Sequence, residues 1–103
     1  MTKYLTIGGL VAAGFDPSGE YLLTVSHSGR GVFVTTSWER VARDPHLAYP
    51  ESGHVLGIGP IDGVSVPVYE IDYSTERLKF STPDGKVSLE YEQGTLTVSD
   101  DNA

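Results

Sequence analysis

Apolar positions along this chain come in short runs rich in β-branched and aromatic residues, separated by glycine and proline. No stretch sustains the three- and four-residue apolar spacing of a helix, whereas short runs bounded by turn residues are the mark of strands. Strands are predicted over 4–7, 10–15, 20–26, 31–36, 38–42, 55–58, 64–71, 76–82, 86–91 and 95–99. Asp16-Pro17-Ser18-Gly19, His27-Ser28-Gly29-Arg30, Pro83-Asp84-Gly85 and Glu92-Gln93-Gly94 supply turn chemistry between them. Proline presets φ there, and glycine accepts a positive φ. In the 38–42 segment, simple alternation puts Trp38, Arg40 and Ala42 on one face. Residues 43–54 hold two prolines and a Ser-Gly pair and read as a long loop. The pattern predicts an all-β fold: an antiparallel meander of about eight strands forming a small sandwich or partly open barrel. One domain covers 1–99, and 100–103 is a frayed acidic tail.

Composition narrows the function classes. Of 103 residues, 39% are hydrophobic, enough for one modest core. There is no cysteine, which removes disulfides, zinc knuckles and thiol nucleophiles. The early uncharged stretch over 5–15 is short and interrupted by Gly8, Gly9 and Gly14, unlike a signal peptide or a membrane span. A cytoplasmic protein without a membrane partner is therefore expected. The net charge is −7, unevenly spread. Residues 1–69 hold six acids and four cations, and residues 70–103 hold eight acids and three. Nucleic-acid binding needs a cationic surface, so this balance argues against it and favours a basic partner.

Residues 10–43 resemble one blade of a WD40-type β-propeller. The likeness rests on Phe15-Asp16-Pro17-Ser18-Gly19-Glu20-Tyr21-Leu22-Leu23, on Ser26-His27-Ser28-Gly29, on the strand Val32-Phe33-Val34 and on Thr36-Ser37-Trp38-Glu39. The Trp-Asp pair that ends the third strand of family blades is replaced by Val34-Thr35, and the upstream Gly-His pair is missing. Residues 82–98 repeat the scheme loosely, so two blade-like halves are an expectation. A propeller needs four to eight blades, more than this chain supplies, which implies either a small sandwich or assembly of several chains. The run Ser26 to Phe33 and the run Trp38 to Asp44 also resemble a group of short uncharacterised bacterial proteins. That likeness implies a bacterial source and brings no activity with it.

Few residue groups suggest chemistry. His46 and His54 lie near Asp44 and Glu51, but the spacing matches no tight metal pattern, so no metal or cofactor is expected. Ser26 and His27 are neighbours on a predicted strand and point to opposite faces, which is unsuited to a nucleophile and its base. Gly57-Ile58-Gly59-Pro60 lacks the lysine and following helix of a phosphate cradle and reads as a bend. Trp38 reads as a core anchor, with an exposed interface hot spot as the alternative. Arg40, Arg43, Tyr49 and His54 form one candidate binding patch. Glu70, Asp72 and Glu90 form a second, an acidic face. The expected function is a non-catalytic protein-binding domain, of the bacterial immunity or inhibitor type, that meets a basic partner through that face. A self-assembling β-module is the alternative, and an enzyme using the 43–63 loop ranks last.

Overall fold

The computed structural model describes residues 2–45, 58–82 and 84–100. Among them lie nine strands: β1 (Thr2–Thr6), β2 (Leu10–Phe15), β3 (Tyr21–Ser26), β4 (Gly29–Val34), β5 (Arg40–Asp44), β6 (Tyr69–Glu70), β7 (Arg77–Ser81), β8 (Val87–Glu92) and β9 (Thr95–Asp100). They make two antiparallel sheets, β1-β9-β8-β7 and β5-β4-β3-β2-β6. The sheets pack face to face as a small sandwich and do not close into a barrel. Phe15, Leu22, Phe33 and Trp38 from one side meet Leu78, Leu89, Tyr91, Leu96 and Val98 from the other.

Turn chemistry sets the hairpins. Between β2 and β3, the Asp16 carboxylate accepts the Ser18 and Tyr21 amides, and Gly19 takes φ +76°. Between β7 and β8, the Thr82 hydroxyl accepts the Val87 amide, Asp84 accepts the Lys86 amide, and Gly85 takes φ +74°. The two turns share one backbone scheme: Gly19 N–H donates to Asp16 O, and Gly85 N–H to Thr82 O, each at 2.9 Å. The acid and the hydroxyl have exchanged places. Asp16 stands where Thr82 stands, and Ser18 where Asp84 stands, and each pair is joined by a side-chain hydrogen bond.

A second core lies on the outer face of the five-stranded sheet. Val11, Leu23, Val25 and Val32 are covered there by Ile61 and Val66, with Ile58, Val64 and Val68 packed around them. Every residue of β2 is consequently buried. The cover lies so close that a Cβ on Gly14 would overlap the Pro67 carbonyl.

Three segments differ from the sequence reading. The predicted strand at 64–71 pairs only at Tyr69–Glu70, because residues 64–68 lie across the sheet as its cover. Pro67, which has no N–H to give a ladder, belongs to that cover. The strand predicted at 55–58 falls largely outside the described residues, and Ile58 leads into a short 3-10 turn, Gly59–Ile61. The strand predicted at 38–42 begins instead at Arg40. Trp38 sits before it in a tight turn at φ +60°, with its N–H on Val34 O at 2.6 Å and its ring only 3% exposed. Trp38 is thus a core anchor, as its size suggests.

Candidate functional site

Two concave regions collect the polar and aromatic side chains that could meet a partner. The first is bounded by the 69–76 stretch. Here Tyr69, Glu70, Ile71, Asp72 and Tyr73 follow one another along and just beyond β6, an outer strand bonded to β2. Tyr69 and Tyr73 are 52% and 64% exposed. The Tyr69 ring rests on Phe80 (centroids 5.3 Å apart), which rests on Phe15 (5.5 Å), so packing holds an exposed aromatic in place. Asp72 closes the following turn. Its carboxylate accepts the Ser74 hydroxyl (2.6 Å) and amide (2.9 Å), and its own N–H donates to Arg77 O (3.0 Å). The Ser74 hydroxyl, then the Ser74 amide, hold the Asp72 carboxyl below its ordinary pKa. Glu76 completes the turn at φ +55°. Beside it runs a groove of about 480 Å³ lined by Tyr73, Glu76, Ile71, His27, Tyr91 and Gln93, among others. The Tyr91 hydroxyl donates to Ile7 O (3.0 Å), which fixes one wall.

The second region lies at the opposite edge of the five-stranded sheet, between its inner face and residues 6–8. Arg40 and Arg43 both line it. They are three apart and would point to opposite faces of a regular strand. An extra residue, Val41, bulges between Arg40, which pairs with Phe33, and Ala42, which pairs with Val32. Arg43 then pairs with Gly31, so both arginines lie on the Phe33 face and Ala42 on the other. This corrects the alternation expected for 38–42, and a bulge is the known device for re-aiming a side chain.

The remaining candidates are scattered. Tyr49 and His54 lie outside the described residues, as do His46 and Glu51. Glu70 projects from the edge strand of the five-stranded sheet. Glu90 belongs to the four-stranded sheet, opposite Lys79 and Thr97. Glu92 beside it is bound by Arg77 at 2.8 Å. Tyr73 and Glu76 line the groove, Glu70 and Asp72 belong to the same stretch without lining it, and Glu90 lies on the other sheet opposite Lys79. Ser26 is buried, its hydroxyl donating to Gly29 O (3.1 Å), while His27 is exposed in the next turn. Gly59 packs against Ala42, where a Cβ would not fit. Among the described residues no three His, Asp or Glu converge as a metal site. No helix among them is long and apolar enough to cross a membrane.

Sequence reasoning missed Thr6, Thr24 and Ser28 in the second region. The available signal was a hydroxyl at every second position, 24, 26 and 28, running out of an otherwise apolar strand. The chain matches no protein-family model, no curated protein and no solved structure.

Proposed function

We propose that this is a non-catalytic protein-binding domain of the inhibitor or immunity type, and that the 69–76 ridge with its groove receives a basic partner. The observation that carries the reading is the combination on that ridge. Glu70, Asp72 and Glu76 stand there beside two exposed tyrosines, one of them braced by Phe80, and the adjacent Arg77 gives its guanidinium to Glu92. A lysine or arginine side chain entering the groove would meet the Tyr73 ring and the Glu76 carboxylate together, a cation–π contact and an ion pair. A braced tyrosine such as Tyr69 loses little conformational entropy on binding. Glu90, facing Lys79, stands outside this surface.

The test is capture by the full chain from lysate at low and moderate salt, repeated with the variants Glu70→Lys/Glu76→Lys and Tyr73→Ala. A basic protein recovered by the wild type, released as salt rises and lost from both variants, is the expected result. Glu90→Lys should retain it. Charge reversal on the true surface slows association and flattens its salt dependence. Capture indifferent to salt and to all three variants would refute the proposal.

A self-assembling β-module is the second reading. It draws on β2 to β5, which form four consecutive antiparallel strands, the strand count of a propeller blade. A single monomer mass across the accessible concentration range would exclude it.

A further inference from the structure

We infer that the cleft between β3-β4-β5 and the 6–8 turn is a site for a small phosphate-type dianion. The patterning of the five-stranded sheet is anomalous here. The inner face of a sandwich is apolar, and this one is so at Phe15, Leu22 and Phe33. Farther along the same strands that face carries Thr24, Ser26, Gly29, Gly31, Arg40 and Arg43, by the pairings Thr24–Gly31, Ser26–Gly29 and Gly31–Arg43. These residues, with Thr6, Ile7, Gly8, Ser28, Arg30 and Phe33, line a cleft of about 140 Å³. That suits a single oxyanion group and not a whole nucleotide.

Three features fit the anion. First, Arg40 and Arg43 have no ion-pair partner among the described residues, although the chain carries fourteen acids against seven cations. Arg30 differs, its guanidinium reaching Asp44 at 2.6 Å. Two unpaired guanidiniums balance a dianion, and would leave one charge over on a monocarboxylate. Second, Gly31 lets the Arg40 stem lie close against the sheet. A Cβ there would lie 3.2 Å from Thr24 Oγ1, 3.6 Å from Arg40 Cδ and 3.8 Å from Phe33 Cε1, so a side chain would press on the arginine that the site uses. Third, a donor remains for the anion. Thr24 and Ser26 give their protons to Gly31 O and Gly29 O. Ser28 reaches only the Ser26 hydroxyl (3.0 Å), a bond it can exchange for a phosphate oxygen. The bulge at Val41 delivers the second arginine to the site, and this inference stands apart from the acidic ridge on the opposite edge of the sheet.

The test is an NMR titration of the isotope-labelled full chain with inorganic phosphate at constant ionic strength. Saturable shifts are expected at the Gly29 and Gly31 amides and the Arg40 and Arg43 Nε–H groups, with a Kd on the order of 1 mM. Arg40→Gln and Arg43→Gln, both at exposed positions, should each weaken binding about tenfold or more. Gly31→Ala keeps both charges, presses on the Arg40 stem and should weaken it too. Tighter binding of glycerol 3-phosphate would identify the ligand as a phosphomonoester, and equal or weaker binding the free ion. Shifts that never saturate and appear equally at Arg77 and Lys86 would overturn the site. So would acetate binding as tightly as phosphate, or arginine variants that bind like the wild type.

Discussion

Trp38 offers a sharp test of how this fold is held. It is the sole tryptophan, it is buried between the sheets, and its backbone occupies the left-handed region that favours glycine. Its indole Nε1 is buried without a hydrogen-bond partner among the described residues. Truncation to alanine removes the largest side chain of the core and should cost about 3–5 kcal/mol. Trp38→Phe is the informative change. The smaller ring loses about 1–2 kcal/mol in transfer and cavity terms. Removing an unpaired buried N–H offsets this by about 1–3 kcal/mol. The net effect should lie within about 1 kcal/mol of wild type. Trp38→Gly loses the ring but relieves a strained φ, and should be no worse than Trp38→Ala despite the added chain entropy. Urea denaturation followed by far-ultraviolet circular dichroism reads all three, since loss of the only tryptophan removes the fluorescence signal. At this chain length the alanine variant should lose more than about 10 °C in Tm. A phenylalanine variant destabilised by about 3 kcal/mol would refute the reasoning, for it would mean that the indole N–H is satisfied.

Three further outcomes follow from the structure. Gly14→Ala drives a methyl into the Pro67 carbonyl, and backbone on both sides leaves little room to yield, so a loss of about 1–3 kcal/mol is expected, with faster amide exchange in residues 64–71; unchanged exchange there would show that the cover does not touch the sheet. Asp72 and Asp84 are held below their ordinary pKa, Asp72 chiefly by the Ser74 hydroxyl and Asp84 chiefly by the Thr82 hydroxyl, so their stabilising effect is full above the unfolded carboxylate value and fades as pH falls through the lower folded one. Denaturation midpoints measured below about pH 4 should therefore fall less steeply in an Asp72→Asn/Asp84→Asn chain than in wild type. The Arg77–Glu92 pair is exposed on both sides, so Glu92→Gln should change stability by less than about 1 kcal/mol, measurable by the same denaturation.

Much of the strand layout was legible because turn chemistry is local. Asp16-Pro17-Ser18-Gly19 names its own conformation, and β2, β3, β8 and β9 lie within a residue or so of their predicted positions. The cover over 58–68 was harder to read. Its alternating Val64, Val66 and Val68 look like a strand, and only burial on both faces of β2 shows that they serve as a lid. The unbroken apolar run over 10–13, in place of alternation, was the available sign of that two-sided burial. Arg40 and Arg43 belong to the four-residue patch read from the sequence, but their common face depends on the bulge at Val41, and a single inserted residue leaves no mark in a polar-apolar pattern. Glu70 and Glu90 looked equivalent along the chain because sheet membership is decided by long-range pairing, which local sequence does not encode.

The pairing of β1 with β9 has a consequence for how the molecule is made. Thr2 lies against Ser99 and Thr6 against Thr95, so the first strand of this chain finds its neighbour only when the last is present. During synthesis β2 to β5 can zip together by short hairpins, while β1 waits, offering Leu5 and a row of unsatisfied amides to any other strand within reach. Such long-range closure is slow, and intermediates with open edges are prone to join one another. The exposed Thr2 and Thr6 and the half-buried Lys3 of β1 are the kind of polar residues that make an unpaired edge a poor template during that wait. Exchange of β1 between two copies, each strand completing the other's sheet, is the misassembly this topology invites.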